Sequence, residues 1–327
     1  MPFASPRPVR LLALPLALTL LATACGGGGE RDDAGAGTGS GSTAGELSGD
    51  IRIDGSSTVA PLSTVAAELF QEEHPNVRVT VGTSGTGGGF EKFCNGETDI
   101  SDASRPIKDD EVAACEAAGI DFEEITVAND GLSVVVNPQN DWAECLTVEE
   151  LNAIWAPDST VNNWSQVRPG FPDVPLQLFG AGTDSGTFDY FTEAINGEEG
   201  ASRADYAQTE DDNITVQGVS GTPGGLGYFG LSYLEENAGA VKGVAIDGGD
   251  GCVQPTTETV QSGEYQPLGR ELFVYPSGEA LQRPEVIAFL EFYIEESNAI
   301  TEEALFVPLT GEQRAEAQAK VDSLAGA

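Results

Sequence analysis

Four short clusters in this chain have side chains suited to holding a ligand: Ser56-Ser57-Thr58, Ser84-Gly85-Thr86, Ser104-Arg105 and Ser185-Gly186-Thr187. Each hydroxyl is a donor with a freely rotating proton, and each glycine lets the backbone approach a bound group closely. Arg105 adds a planar guanidinium, which matches two oxygens of an oxyanion at once. It stands out because the chain has only four Lys and eleven Arg. Such a set of donors recognises an anion. It does not by itself turn one over.

The elements that carry these clusters share one grammar. Leu176-Gln177-Leu178-Phe179 alternates like a short strand, Gly180 to Ser185 is turn chemistry, and Phe188, Phe191 and Ile195 then recur at helical spacing. A helix is therefore expected to begin near Thr187. Ile51-Arg52-Ile53 leads in the same way through Asp54 to Thr58 into a helix carrying Val59, Leu62, Ala66 and Leu69, with Pro61 in its first turn. Val77, Val79 and Val81 form a third strand, which runs into a glycine-rich loop over 82–89 before Phe90, Phe93 and Cys94. Thr98 to Ala103 is a fourth, ending in the polar loop Ser104-Arg105-Pro106 and feeding a helix through Val112 and Cys115. The first amides of a helix lack intrahelical acceptors, and the macrodipole places partial positive charge there. One such junction is an ordinary helix cap. Several of them, rich in Ser, Thr and Gly, form an anion cradle at the carboxyl ends of the strands of an α/β sheet.

Composition narrows the function. The chain has 327 residues, 40% of them hydrophobic, which is enough for one large or two medium domains. Its formal net charge is -38, which excludes nonspecific nucleic-acid binding. Salt screens that field within about 8 Å, so a local cluster of neutral donors can still hold a small anion.

The N-terminus reads as an export signal over residues 1–24. Arg7 and Arg10 precede an apolar run, Leu11 to Leu21, which is too short to span a bilayer. Ala24-Cys25-Gly26 resembles a bacterial lipobox, although Ala22 stands where Leu is usual. Cys25 is then the expected lipidation site, and residues 25–48, rich in Gly, Ser, Thr and Ala, are a flexible tether to the membrane. Four cysteines remain: Cys94, Cys115, Cys145 and Cys252. In an exported chain they are expected to form two disulfides. Three connectivities are open; Cys94–Cys115 with Cys145–Cys252 is favoured because the first pair closes a short local loop. Neither a metal site nor a cofactor is expected. There is no C-x-x-C, and His74 is the only histidine, which also argues against a Ser-His-Asp triad.

Ile125 to Val136 is apolar at its centre and reads as a buried strand interrupted by Asn129-Asp130-Gly131, where the chain crosses between lobes. Thr147 to Glu150 and Thr310 to Gln313 are capping boxes. Trp155 and Trp164 are expected to pack in a core. Leu272 to Tyr275 is a strand, and Pro284 to Ile294 an amphipathic helix. Gly225-Leu226-Gly227-Tyr228-Phe229-Gly230 matches a dinucleotide fingerprint, but no continuous strand precedes it, so that reading is set aside.

Taken together, these motifs resemble the PstS-type phosphate-binding proteins, the extracytoplasmic receptors of phosphate ABC transporters. The resemblance covers about residues 48–310 and rests on Asp54 to Leu62, Ser84 to Phe90, Asp99 to Pro106 and Thr183 to Phe188, with Leu226-Gly227-Tyr228 also fitting. It implies a two-lobed α/β fold of the type II periplasmic-binding-protein kind, with a ligand cleft between lobes joined by two crossing strands. Lobe 1 would be 49–133 plus 270–327, and lobe 2 would be 134–269. It also implies a non-enzymatic, monomeric receptor that closes on inorganic phosphate and docks on a membrane permease. Carried over, Ser57 and Thr58, Ser84 or Thr86, and Ser185, Gly186 and Thr187 would contact phosphate. Two positions depart from the family pattern. Ser104 stands where members carry the Asp that accepts the proton of hydrogen phosphate and so rejects sulfate, and Ala181 stands where they carry an Arg. Arg105 is expected to replace the guanidinium, and Asp102 or Asp184 the proton acceptor. The alternatives are a receptor for sulfate, molybdate or a phosphonate, and a cell-surface lipoprotein with no transport ligand.

Overall fold

The computed structural model describes residues 46–183 and 185–325. The expected signal segment, Cys25, nearly all of the tether, and Asp184 lie outside the described residues. In chain order the first half comprises β1 (Gly49–Gly55), α1 (Ala60–Glu73), β2 (Val77–Thr83), α2 (Gly85–Cys94), β3 (Ile100–Ala103), α3 (Asp109–Ala118), β4 (Ile125–Val136), β5 (Cys145–Thr147) and α4 (Val148–Trp155). Next come β6 (Gln177–Ala181), α5 (Gly186–Asn196), β7 (Ala207–Thr209), α6 (Asp212–Gly221), β8 (Gly225–Gly230) and α7 (Leu231–Glu236). The chain finishes with β9 (Lys242–Gly243), β10 (Ala245–Asp247), β11 (Cys252–Val253), α8 (Thr257–Gln261), β12 (Gly269–Pro276), α9 (Pro284–Glu295), α10 (Ser297–Glu303) and α11 (Gly311–Ala325).

Among the described residues the main sheet runs β2-β1-β3-β12-β4-β8-β6-β7, with β9 also on β4; β11-β10-β5 form a separate small sheet. The fold is a two-lobed, mixed α/β periplasmic-binding-protein-like one, and the centre of the sheet shows how the lobes are joined. Residues 125–131 of β4 pair antiparallel with β12, and Leu132 to Val136 pair antiparallel with β8. One strand thus serves both halves. Asn129-Asp130-Gly131 does not interrupt it: all three lie within the strand, and the sheet passes through them. The Asn129 side chain is instead used for bonds to the Pro308 carbonyl and to Gln313.

Two cores flank this strand. Ile51, Ile53, Leu62, Phe70, Ile100, Ile125, Val127, Leu272 and Phe289 pack on one side. Leu132, Val134, Trp155, Trp164, Phe191 and Tyr228 pack on the other, with Phe191 and Tyr228 stacked at 3.8 Å. Each fully buried aromatic or aliphatic side chain is worth about 1.5–3 kcal/mol of transfer free energy. Both tryptophans are core residues with no exposed surface. A third cluster, around Phe90, Phe93, Phe273 and Tyr275, is closed by the Cys94–Cys115 disulfide. Cys145 and Cys252 form the second disulfide, which ties β5 to β11.

One further expectation changes, and the motif set aside above finds its place. The glycine-rich stretch is not a loop throughout, because α2 already begins at Gly85. Glycine is a poor helix former, but here contact requires it: a Cβ on Gly89 would stand 2.5 Å from the Gly55 Cα. Only glycine lets α2 lie this close on β1. The Gly225 to Gly230 motif is a strand from end to end, paired with β4 and β6, so no phosphate-cradling turn exists there.

Candidate anion-binding site

The carboxyl ends of β1, β2 and β3 deliver the starts of α1 and α2 and the β3–α3 loop to one side of the cleft. β6 delivers the start of α5 to the other. Ahead of α1, Ser56 Oγ accepts from the amides of Thr58 and Val59 at 3.2 and 3.4 Å, which closes the turn leading into the helix, and Ser57 is partly exposed. At α5, Ser185 caps by accepting from the Thr187 amide at 3.1 Å. The two helix starts meet at Gly186, whose Cβ, if present, would lie 2.9 Å from Thr58 Oγ1 and 3.0 Å from the Thr58 amide nitrogen.

Two cavities adjoin that meeting point. The first, of about 230 Å³, is lined by Ser57, Thr86, Ser104, Arg105 and Arg270, with Lys108, Asp189 and Glu193 around them. The second, of about 240 Å³, is lined by Ser57, Thr58, Ser185, Gly186 and Thr187, with Asp130, Asp212 and Tyr233. Ser57 belongs to both. Eight of the expected residues, Ser57, Thr58, Thr86, Ser104, Arg105, Ser185, Gly186 and Thr187, are therefore brought together, but as two adjacent half-sites.

The cationic cavity has fixed donors. Arg105 is held in bidentate fashion by Glu111, at 2.8 and 2.7 Å, and Glu111 also accepts from the Lys108 amide. The bonds to Glu111 raise the Arg105 pKa against the opposing effect of burial. Thr86 Oγ1 and Ser104 Oγ are hydrogen-bonded at 3.0 Å, either hydroxyl being able to donate, and Thr86 also accepts from the Ser104 amide. Arg270 pairs with Asp130 at 3.2 Å and donates to Thr58 Oγ1 at 3.1 Å. Burial raises the Asp130 pKa, and Arg270 opposes that shift. Burial also raises the pKa of Asp189, whose Oδ2 accepts from Ser57 Oγ at 3.4 Å. In the second cavity, burial and the neighbouring Asp211 and Glu210 push Asp212 up to about 6.

Two expected residues stand apart. The Ser84 hydroxyl turns outward and donates to Asp54, which Lys92 also holds at 2.7 Å. Ser84 is exposed and lines neither cavity; Thr86 takes the place assigned to either. Asp102 is fully buried behind α1, where it accepts from Ser63 at 2.9 Å, and it too lines neither cavity. Its backbone carbonyl holds the Ser56 amide, which fixes the start of α1, but its carboxylate has no access to a ligand. Asp184 is outside the described residues.

Sequence reasoning missed Arg270, Asp130 and Asp189. The scarcity of cations that singled out Arg105 applies equally to Arg270 and was the available signal. Among the described residues no three His, Cys, Asp or Glu side chains are grouped to hold a metal. No helix among them is long and apolar enough to cross a membrane.

A profile described as PBP superfamily domain matches residues 36–297. Protein SphX of Synechococcus elongatus is 48% identical over 79% of this chain and 77% of its own length. The phosphate-binding protein PstS of Staphylococcus saprophyticus is 37% identical over 86% of this chain and 88% of its own. The chain belongs to the family of PstS-type phosphate-binding proteins. A solved structure of a possible phosphate binding protein from Planctomyces limnophilus superposes with a TM-score of 0.82 at 51% identity, over 85% of this chain and 99% of that one. The chain therefore resembles such proteins in fold as well as in sequence.

Proposed function

We propose that the chain is the extracytoplasmic receptor of a phosphate ABC importer, binding inorganic phosphate between lobes 49–133 plus 270–327 and 134–269. The observation that carries this reading is the convergence of Ser57, Thr86, Ser104, Arg105 and Arg270 on one small cavity at the starts of α1, α2 and α5. All five are donors to oxygen, and both guanidiniums are already oriented by carboxylates, so little ordering is left to do on binding. Hydrogen bonds to a charged group contribute about 1.5–3 kcal/mol each, and half a dozen of them, less the cost of closure, reach the ~8 kcal/mol of micromolar binding. Ser185, Gly186 and Thr187 complete the shell from the second lobe as the hinge closes. The closed form docks on the permease, and an acyl group on Cys25 keeps the monomeric receptor at the membrane. The site performs no covalent chemistry and uses no cofactor.

Calorimetry on the ligand-stripped protein tests this. Phosphate is expected to bind at micromolar affinity or tighter, and absence of heat with phosphate would sink the reading. A broader oxyanion specificity is the second reading, favoured by Ser104, which faces the cavity with a hydroxyl where the family has a carboxylate; sulfate binding as tight as phosphate would establish it.

A further inference from the structure

The structure leaves the phosphate reading without its usual proton acceptor, since Ser104 is a hydroxyl and Asp102 is sealed behind α1. We propose that Asp189, reaching across from α5, accepts the proton of hydrogen phosphate and thereby excludes sulfate. This rests on the reading of the cavity as a phosphate site and names the residue that would set its selectivity.

The geometry selects Asp189 among the carboxylates in and around the cationic cavity; Asp212 lines only the other half-site. It lines the same cavity as Ser57, Thr86, Ser104, Arg105 and Arg270. It sits in the first turn of α5, where its amide bonds to the Ser185 carbonyl at 3.1 Å, so its position is set by the helix start that the second lobe offers to the ligand. Its one side-chain hydrogen-bond partner among the described residues is Ser57, at 3.4 Å, a weak bond that leaves lone pairs free. The competing carboxylates are committed or solvated. Glu111 is filled by Arg105, Asp130 is paired with Arg270, and Glu193 and Glu199 are exposed at the rim. The physical basis is simple. A carboxylate at close range accepts a charge-assisted bond from a P–OH, while toward a sulfate dianion, which has no proton at neutral pH, it can only repel. Burial and the charge of Glu199 raise the basicity of Asp189, which favours its role as acceptor.

The test is calorimetry with phosphate and with sulfate at neutral pH on the wild-type protein, Asp189→Asn and Asp189→Ser, with thermal unfolding to verify folding. The wild type is expected to prefer phosphate strongly. Each variant is expected to lose at least tenfold of the phosphate-to-sulfate ratio, and adding Ser104→Asp to Asp189→Asn, which returns a carboxylate from the first lobe, is expected to restore it. A folded variant that keeps the wild-type ratio overturns the assignment while leaving the phosphate reading intact. Equal binding of the two anions by the wild type also overturns it. Absence of phosphate binding by the wild type removes the phosphate reading itself.

Discussion

The guanidinium carbon of Arg270 stands 3.3 Å from the centroid of the Tyr190 ring. Arg270 is on β12, one of the two central strands, and Tyr190 is on α5, so this contact ties the centre of the sheet to that helix. The ring face attracts the cation, and the same guanidinium also reaches Asp130 and Thr58. Arg270 thus links the crossing strands, the start of α1 and the start of α5.

Arg270→Lys keeps the charge but loses the fork that serves Asp130 and Thr58 together. Phosphate affinity is expected to fall at least tenfold in calorimetry. Arg270→Ala should cost stability as well, about 3–5 kcal/mol in denaturant unfolding, because Asp130 is left buried and unpaired.

Ser84→Ala and Thr86→Ala separate the two hydroxyls that the sequence left undecided. Ser84 bonds Asp54 at the surface, so its loss should change phosphate affinity less than twofold. Thr86→Ala removes a cavity donor and the acceptor for the Ser104 amide, and about tenfold weaker binding is expected, equal to ~1.4 kcal/mol.

Gly186→Ala places a methyl against Thr58 at the meeting of the two helix starts. The lobes must then stand further apart. Phosphate affinity should fall by tenfold or more while thermal stability without ligand stays nearly unchanged, a pattern checked by calorimetry alongside thermal unfolding.

Asp102 sets a pH dependence of stability. Burial pushes its pKa up to about 8, against the opposing bond from Ser63. Between about pH 4, the ordinary aspartate value, and pH 8, the folded state holds a proton that the unfolded chain releases. Its contribution therefore falls as pH rises through that window and is complete only below it. Asp102→Asn keeps the acceptor for Ser63 and removes the titration. Its Tm should exceed the wild type's by ~5 °C at pH 8 and by little at pH 4.

Much of this site was legible because helix starts announce themselves locally. Phe188, Phe191 and Ile195 fixed the face of α5, and Thr147 with Glu150 fixed the cap of α4, from spacing alone. What sequence missed depends on contacts distant in the chain. Gly85 to Gly89 has the propensity of a loop and becomes helix because Gly89 packs on Gly55, a requirement visible only with β1 beside it. Asp102 reads like any polar residue at a strand end. Its burial follows from α1 and Tyr293 closing over it, and the Ser63 bond spans 39 residues. Arg270 carried a signal in the scarcity of cations, but its partners Thr58, Asp130 and Tyr190 lie in three other parts of the chain.

The position of β12 has a consequence for biogenesis. It is the inner neighbour of β3 and the main partner of the first half of β4, yet it comes late in the chain. During emergence from the ribosome, β1 to β3 must wait as an incomplete half-sheet, while residues 134–269 already hold most of the partners of β8. The half of the sheet that is synthesised first is therefore the last to be completed, because its pairing with β12 joins segments far apart in the chain.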